Sequence, residues 1–147
     1  MFFNILVDRA EELEELPECE REVKAALPAP PSDPAASRMI GTFADYVRGL
    51  RERCVAKGVS GGRCPQVGRV LFFLSYFWHI QDFDAWPIYY PNSVQTMKDR
   101  NVWQRSGDLA KDYLSFRQVH RELRDAFTKE TGEPFDHRRV TDVLMRR

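Results

Sequence analysis

The sequence lacks the features that define secreted and membrane proteins. Three cysteines, Cys19, Cys54 and Cys64, are too few and odd in number for a disulfide framework, so we expect free thiols. The longest apolar run, Val70 to Trp78, is far shorter than the roughly 20 residues that span a membrane. The apolar start of the chain lacks a basic segment and runs directly into acidic residues, unlike a signal peptide. We therefore expect a soluble, cytoplasmic protein.

No pattern typical of an enzyme or a metal site occurs. The Gly-x-x-x-x-Gly-Lys-Ser/Thr loop of ATPases and the His-Glu-x-x-His pattern of zinc proteases are both missing. The histidines have no obvious serine or cysteine partner for nucleophilic catalysis. Cys54, Cys64 and His79 lack the close pairs of ligands by which zinc sites are recognised. We predict no metal, cofactor or catalytic residue in this chain, which favours a binding module over an enzyme.

Charge is balanced overall but unevenly distributed. The formal net charge is zero, yet residues 1–33 carry nine acidic and three basic side chains, whereas residues 34–147 carry 13 acidic and 19 basic. A chain of this length is typical of one domain. We predict a single domain over residues 1–147, with an acidic N-terminal arm over 1–33 and a basic helical body over 34–147. Such a body could face a polyanion.

Apolar residues recur at steps of three and four over most of the chain, which is the period of amphipathic helices. A proline-rich break at 28–34 and an aromatic loop at 82–91 interrupt this pattern, because proline lacks an amide donor. Gly58 and Gly132 are expected to end helices. We predict an all-α fold, a compact bundle of about six to seven helices without strands. The predicted helices cover residues 2–16, 18–27, 35–57, 65–81, 92–98, 108–129 and 136–147.

A glycine-containing turn leads into the most apolar helix. The segment Cys64-Pro-Gln-Val-Gly-Arg-Val-Leu71 places Gly68 and Arg69 directly before that helix. Exposed amides at a helix start, with the helix dipole behind them, suit an anion such as a DNA phosphate. The alternative is that Gly68 merely allows two helices to cross closely.

This turn resembles the hairpin of the helix-hairpin-helix family, which has Pro-Gly-Val-Gly followed by a basic residue. Pro65, Val67, Gly68 and Arg69 match that pattern, whereas Gln66 replaces the first glycine. The resemblance implies a helix-hairpin-helix-like fold in which the turn amides face a DNA phosphate.

DNA glycosylases of that fold carry a catalytic aspartate in the loop that follows the hairpin and its helix. Tyr89 and Tyr90 occupy the corresponding place in this chain, and neither stabilises developing positive charge as a carboxylate does. Asp82 and Asp84 lie nearby, but capping of the preceding helix is the favoured role for both. A divergent glycosylase is therefore the least favoured hypothesis.

The order of features along the chain supports a second resemblance. An acidic amphipathic start and a proline-rich break precede the turn, followed by FLSYFWHIQDFDAWPIYYPNSV, a long helix and a closing FDHRRVTDVLMRR. This order is similar to a helical module found N-terminal to AAA+ ATPases of the McrB type in bacterial restriction and defence systems. The resemblance implies recognition or assembly beside an AAA+ ATPase or nuclease located in a partner subunit or domain.

Aromatic and basic residues complete the predicted DNA site. Most aromatic side chains at 82–91 are expected to form core, but Trp86, Tyr89 and Tyr90, if exposed on their loop, could stack on bases. Basic residues close to the turn or the loop could contact phosphates. The predicted nucleic-acid-binding residues are Arg63, Gln66, Gly68, Arg69, Trp86, Tyr89, Tyr90, Lys98 and Arg100, with Arg105 as a further phosphate candidate.

Three functional hypotheses follow from the sequence. The favoured one is a non-catalytic DNA-binding module of a restriction or defence assembly. The second is a protein–protein interaction domain that does not bind nucleic acid. The third, the divergent glycosylase, requires base release that depends on Asp82 or Asp84.

Overall fold

Seven α-helices form the fold over residues 1–146, the part of the chain that the computed structural model describes. No strand occurs within those residues, and the predicted all-α bundle of about six to seven helices is confirmed. The predicted end of the last helix at Arg147 lies outside the described residues. The helices are α1 Phe2–Glu12, α2 Leu16–Ala26, α3 Asp33–Ala56, α4 Val70–Gln81, α5 Pro91–Asp99, α6 Leu109–Thr131 and α7 His137–Met145.

Side-chain caps and glycines define several helix ends. Ser32 caps α3 by accepting a hydrogen bond from the Ala35 amide at 3.2 Å, and Asp108 and Asp136 cap α6 and α7 in the same way. Gly58 and Gly132 follow α3 and α6 with φ of 86° and 69°, a conformation that glycine adopts without strain. The predicted helix stops at both glycines are confirmed.

Three helix starts differ from the prediction by two residues or more. α2 begins at Leu16 rather than at residue 18, with Pro17 in its first turn. α3 begins at Asp33 rather than at residue 35, because Pro34 lies in its first turn, where a missing amide costs no helical bond. α4 begins at Val70 rather than Pro65. The residues before it, Val67–Arg69, form a 3-10 turn in which the Arg69 amide donates to the Gln66 carbonyl at 3.0 Å.

α4 lies at the centre of the hydrophobic core. Val70, Leu74 and Trp78 on this helix are fully buried. Leu6 of α1 and Leu144 of α7 belong to the same continuous cluster, so the acidic N-terminal segment packs on the core that the basic body shares. Within residues 1–146, no helix has the combination of length and apolar character that crossing a bilayer requires.

The proline-rich break is hydrogen-bonded to the end of α4. The Gln81 side-chain amide donates to the Leu27 carbonyl at 2.8 Å and accepts from the Ala29 amide at 3.0 Å. One turn earlier, the Trp78 indole donates to the Ala26 carbonyl at 2.9 Å. These bonds replace the backbone partners that the segment loses between α2 and α3.

The loop between α4 and α5 has no regular structure and is packed into the core, as its two prolines and alternating aromatic residues predict. Trp86 is 2 % exposed and Tyr89 5 %. Because a buried backbone needs partners, side chains of α4 and α6 supply them. The bonds join Ser75 Oγ to the Tyr89 amide at 2.9 Å, His79 Nδ1 to the Trp86 carbonyl at 2.9 Å, Tyr113 Oη to the Pro87 carbonyl at 2.9 Å and Arg117 Nε to the Ala85 carbonyl at 2.6 Å.

A buried histidine pair joins α6 to α7. Nδ1 of His120 lies 2.8 Å from Nδ1 of His137, and Nε2 of His120 lies 3.3 Å from the Thr141 hydroxyl. Burial disfavours the charged ring and lowers the pKa of His120 to about 3 and that of His137 to about 4. The mutual proximity of the rings and the charge of Arg124 act in the same direction. Both rings are therefore neutral at physiological pH.

Mild acid is expected to destabilise this fold. An unfolded histidine takes up a proton near pH 6.5, about two pKa units or more above the folded values, so the unfolded chain binds more protons in between. The free energy of unfolding therefore falls as pH drops below about 6.5, by up to about 1.4 kcal/mol per pH unit for each histidine. Urea unfolding followed by circular dichroism at about pH 7 and about pH 5 measures this difference. Equal unfolding free energies at the two pH values would contradict it.

Candidate nucleic-acid interface

The turn before α4 has no left-handed backbone at Gln66, the position where the helix-hairpin-helix family has its first glycine. Gln66 has φ of −96° and ψ of 117°, an extended conformation open to any residue. Its side-chain amide donates to the Gly61 carbonyl at 3.0 Å, which ties the turn to the preceding loop. Replacement of the family's first glycine by Gln66 is therefore compatible with this turn.

Gly68 lies in open space. A Cβ built at this position meets no heavy atom within 4 Å, and the residue does not adopt a left-handed φ. The hypothesis that Gly68 merely permits two helices to cross closely is wrong, because no neighbour crowds it. Neither packing nor backbone strain explains a glycine here.

The turn has unpaired backbone donors. Within residues 1–146, the amides of Val67 and Gly68 have no hydrogen-bond acceptor, since the 3-10 turn pairs only the amides that follow them. Gln66, Gly68 and Arg69 are exposed. Free amides beside an exposed guanidinium are suited to bind an anion.

Two clefts meet at Gly68. The outer cleft has a volume of about 520 Å³ and the inner cleft about 190 Å³, and Gly68, Tyr89 and Arg105 line both. The remaining residues of the outer cleft are Gln66, Arg69, Phe72 and Pro91, and those of the inner cleft are Leu71, Gly107, Leu109 and Asp112.

The inner cleft contains two buried polar side chains. Tyr89 is 5 % exposed and Asp112 3 %. Oδ1 of Asp112 accepts hydrogen bonds from the Ser106 amide at 2.6 Å and the Ser106 hydroxyl at 2.7 Å. Burial raises the pKa of the Tyr89 phenol, the nearby Arg105 guanidinium partly opposes that rise, and Asp112 adds to it. The phenol therefore stays protonated at neutral pH and can donate its proton.

The basic residues predicted around the turn lie on the surface, but the aromatic residues do not. Arg63 and Arg69 are exposed, as the phosphate-contact hypothesis requires. Trp86 and Tyr89 are buried, so the condition under which they could stack on bases, exposure on their loop, is not met. The side-chain bonds to the loop backbone hold the loop against the core. The guanidinium carbon of Arg117 lies 4.0 Å from the centroid of the Trp86 ring. Tyr90 is half-buried, with its ring centroid 5.6 Å from that of Phe72.

Lys98 and Arg100 are exposed but lie away from the turn. Pro91, at the start of α5, lines the outer cleft. Lys98 and Arg100 lie at the opposite end of that helix. At about 1.5 Å rise per residue, they lie roughly 10 and 14 Å along the helix from Pro91. The structure therefore does not bring these two cations into either cleft.

Two residues that line the clefts, Arg105 and Asp112, are outside the main set of predicted site residues. Arg105 was only a further phosphate candidate, although it borders both clefts. The site predicted from the sequence does not include Asp112, an acidic residue in the inner stripe of α6 between Leu109 and Phe116. A carboxylate among core positions was the sequence signal that could have identified it.

The two acids of the glycosylase hypothesis lie outside both clefts. Asp82 and Asp84 are exposed, and Oδ1 of Asp82 accepts from the Ala85 amide at 3.1 Å. This bond supports the turn that follows α4, and capping of α4 by the Asp82 side chain, as predicted, is not observed. Among the side chains of residues 1–146, no three of the types His, Cys, Asp and Glu converge in a way that suits a metal ion.

Comparison of the chain with protein-family models, with curated proteins and with solved structures finds no match. The two resemblances drawn from the sequence therefore remain predictions.

Substitution of Gly68 is expected to leave the fold intact. In Gly68→Ala the methyl group enters open space, and the loss of unfolded-state freedom keeps the change in unfolding free energy within about 1 kcal/mol, neutral or stabilising. Gly107→Ala is the contrasting variant, because its φ of 92° strains any residue with a Cβ. Thermal unfolding of both variants measures the difference. A clear loss of stability in Gly68→Ala would show that the turn is more crowded than described.

Proposed function

We propose that this protein is a non-catalytic DNA-binding module whose Gly68 turn binds the phosphate backbone. The observation that carries the proposal is the open surface over Gly68, where two amides lack acceptors and no atom occupies the space of a Cβ. An anionic strand approaching the backbone there gains both donors.

The cations around the turn support the same proposal. Arg69 follows Gly68 directly, Arg105 borders both clefts from the loop before α6, and Arg63 lies in the preceding loop. All three side chains are exposed and can meet phosphates, and the Arg105 guanidinium also lies beside the buried Tyr89 hydroxyl. Three phosphate contacts are a modest number, which suits a module that contributes part of the affinity of a larger assembly.

The proposed setting is a bacterial restriction or defence assembly in the cytoplasm. The order of acidic start, proline-rich break, turn and aromatic segment is similar to the module that precedes McrB-type AAA+ ATPases. In that setting an AAA+ ATPase or nuclease, in a partner subunit or domain, supplies nucleotide hydrolysis or cleavage. This chain contributes recognition of DNA.

Arg69→Glu and Gly68→Ala are both expected to weaken binding to duplex DNA. Reversal of the Arg69 charge removes one phosphate contact and repels the strand, with an expected loss of about tenfold or more. Ala at position 68 places a methyl group over the free amides and keeps the charge unchanged. Electrophoretic mobility shifts at increasing salt measure both effects. With three phosphate contacts, the slope of log affinity against log salt is about −3 for the unchanged protein.

Two variants serve as matched controls for this experiment. Arg21→Glu makes the same charge change on the exposed surface of α2, and Gly62→Ala adds the same methyl group in open space within the preceding loop. Both are expected to bind as the unchanged protein does. DNA affinity that is unchanged by salt, by Arg69→Glu and by Gly68→Ala would refute the phosphate-turn proposal.

A protein-interaction domain is the second candidate, favoured by one surface. Tyr76 and Ile80 on α4 and Phe83 just beyond it are 42 %, 63 % and 54 % exposed, although α4 is the most apolar helix. Exposed aromatic and aliphatic side chains in one area are typical of contact sites. Complete absence of DNA binding at low salt would favour this candidate.

A further inference from the structure

One face of α4 carries exposed apolar side chains. Phe72, Tyr76 and Ile80 follow one another at steps of four residues, and Phe83 lies just beyond the end of the helix. Residues four apart lie on the same side of an α-helix. The ring centroids of Phe72 and Tyr76 are 6.3 Å apart, and those of Phe83 and His79 are 6.5 Å apart. Phe72, Tyr76, Ile80 and Phe83 therefore form one surface, the α4 stripe, in which all but Phe72 are exposed.

The α4 stripe carries opposite charges at its two ends. Arg69 lies three residues before Phe72, on the same side of the chain, and Asp82 and Asp84 flank Phe83. All three charged side chains are exposed, and none forms an ion pair within residues 1–146. The dipole of α4 and the free amides of the turn add positive charge at the Arg69 end. One end is thus positive and the other negative.

The order of side chains in the stripe is symmetric about Tyr76. Phe72 and Ile80 each lie four residues from Tyr76, and Arg69 and Phe83 each lie seven residues from it. If two α4 helices pack antiparallel with a two-fold axis at Tyr76, Phe72 of one copy lies opposite Ile80 of the other. Arg69 then lies opposite Phe83 and between the two acids that flank it. The surface is therefore complementary to itself, as a two-fold dimer requires.

We propose that two copies of this chain form a dimer through the α4 stripe, with antiparallel α4 helices and with Arg69 of each copy paired with Asp84 of the other. A partner of another kind would need an apolar surface, but neither the symmetric spacing nor the opposite charges at the two ends. This inference does not depend on DNA binding.

The size of the stripe indicates a weak dimer. Tyr76, Ile80 and Phe83 together expose on the order of 300 Å² of side-chain surface, at roughly 200 Å² for a complete large side chain. Two copies of this stripe bury less than the roughly 1,200–2,000 Å² of a standard stable interface. We therefore expect a reversible dimer with a dissociation constant in the micromolar range.

Sedimentation velocity of the full chain without DNA, from about 1 to about 300 µM, tests the dimer. The mean particle is expected to change from one chain to two as the concentration rises, and to stop at two because a two-fold interface closes. A monomer at every concentration would overturn the proposal and would leave the stripe to a different protein. Growth beyond two chains through the same stripe would overturn it too.

Ile80→Glu is expected to weaken the dimer about tenfold or more, because each interface then buries two unpaired carboxylates. Val55→Glu is the matched control, since Val55 is an exposed aliphatic residue next to last in α3, as Ile80 is next to last in α4. It is expected to leave the dimer unchanged. Equal effects of the two substitutions on the dissociation constant would overturn the assignment of the interface to the stripe.

An exchange of charges tests the antiparallel pairing. Arg69→Glu places like charges at both ends of the interface and is expected to weaken self-association about tenfold, and Asp84→Lys is expected to weaken it several-fold. In a mixed dimer of the two variants, positions 69 and 84 again carry opposite charges at both ends. A fluorescently labelled Asp84→Lys chain is therefore expected to bind the Arg69→Glu chain at least about threefold more tightly than either variant binds itself. No rearrangement within one chain produces such a rescue.

The outcomes remain distinct from those of the DNA experiments. If the mixed variants associate no more tightly than each variant alone, the pairing of Arg69 with Asp84 is refuted. Thermal unfolding checks that each variant is folded, and if Ile80→Glu fails to fold, the charge exchange at two exposed positions still decides. A chain that binds duplex DNA but stays monomeric overturns this proposal alone, and a dimer that binds no DNA overturns only the proposed function.

Discussion

The buried loop between α4 and α5 depends on side chains that satisfy its backbone. A buried carbonyl or amide without a partner costs about 1–3 kcal/mol. A loop of this kind is therefore buried only where neighbouring side chains supply hydrogen-bond donors and acceptors for its backbone. Ser75 and His79 of α4 and Tyr113 and Arg117 of α6 supply them. Because these bonds fix the loop, they also fix Tyr89 at the junction of the outer and inner clefts.

The need to pair the buried loop backbone also explains why α4, a helix at the centre of the core, contains a buried polar residue. Ser75 interrupts an otherwise apolar sequence, yet it is fully buried and holds the Tyr89 amide. Arg117 is buried beside Trp86, donates to the Ala85 carbonyl and forms an ion pair with Asp33 at the start of α3. A few polar side chains thus connect α3, α4 and α6 with the loop. Their hydrogen bonds specify one arrangement of these elements more closely than apolar packing alone would.

Helices and their interruptions could be predicted because they follow local rules. Apolar periodicity, the prolines of residues 28–34 and the stops at Gly58 and Gly132 are all properties of neighbouring residues. The start of α4 was placed too early because a 3-10 turn and the first turn of an α-helix share the same composition. Hydrogen-bond spacing, which distinguishes them, is not visible in a short sequence.

The candidate site was predictable only in part, for a related reason. The turn itself is local, so Gly68 and Arg69 could be identified from their order. Burial of Trp86 and Tyr89 depends instead on partners that lie 7 to 32 residues away in sequence from the loop residues they hold. Asp112 could have been recognised from its place among apolar residues of α6, but its bonds from Ser106 are a property of the folded chain alone.

The bonds from Gln81 and Trp78 to the end of α2 and the proline-rich break connect the acidic N-terminal segment to the basic helices. A change in charge composition at residue 33 suggests a boundary, yet the segments on its two sides share hydrogen bonds and one core. A fragment that begins at Asp33 would uncover the indole of Trp78 and remove the bonds of the Gln81 amide to Leu27 and Ala29. The basic helices therefore share their core and hydrogen bonds with the acidic segment, so a change in the sequence of that segment also changes the surroundings of the end of α4.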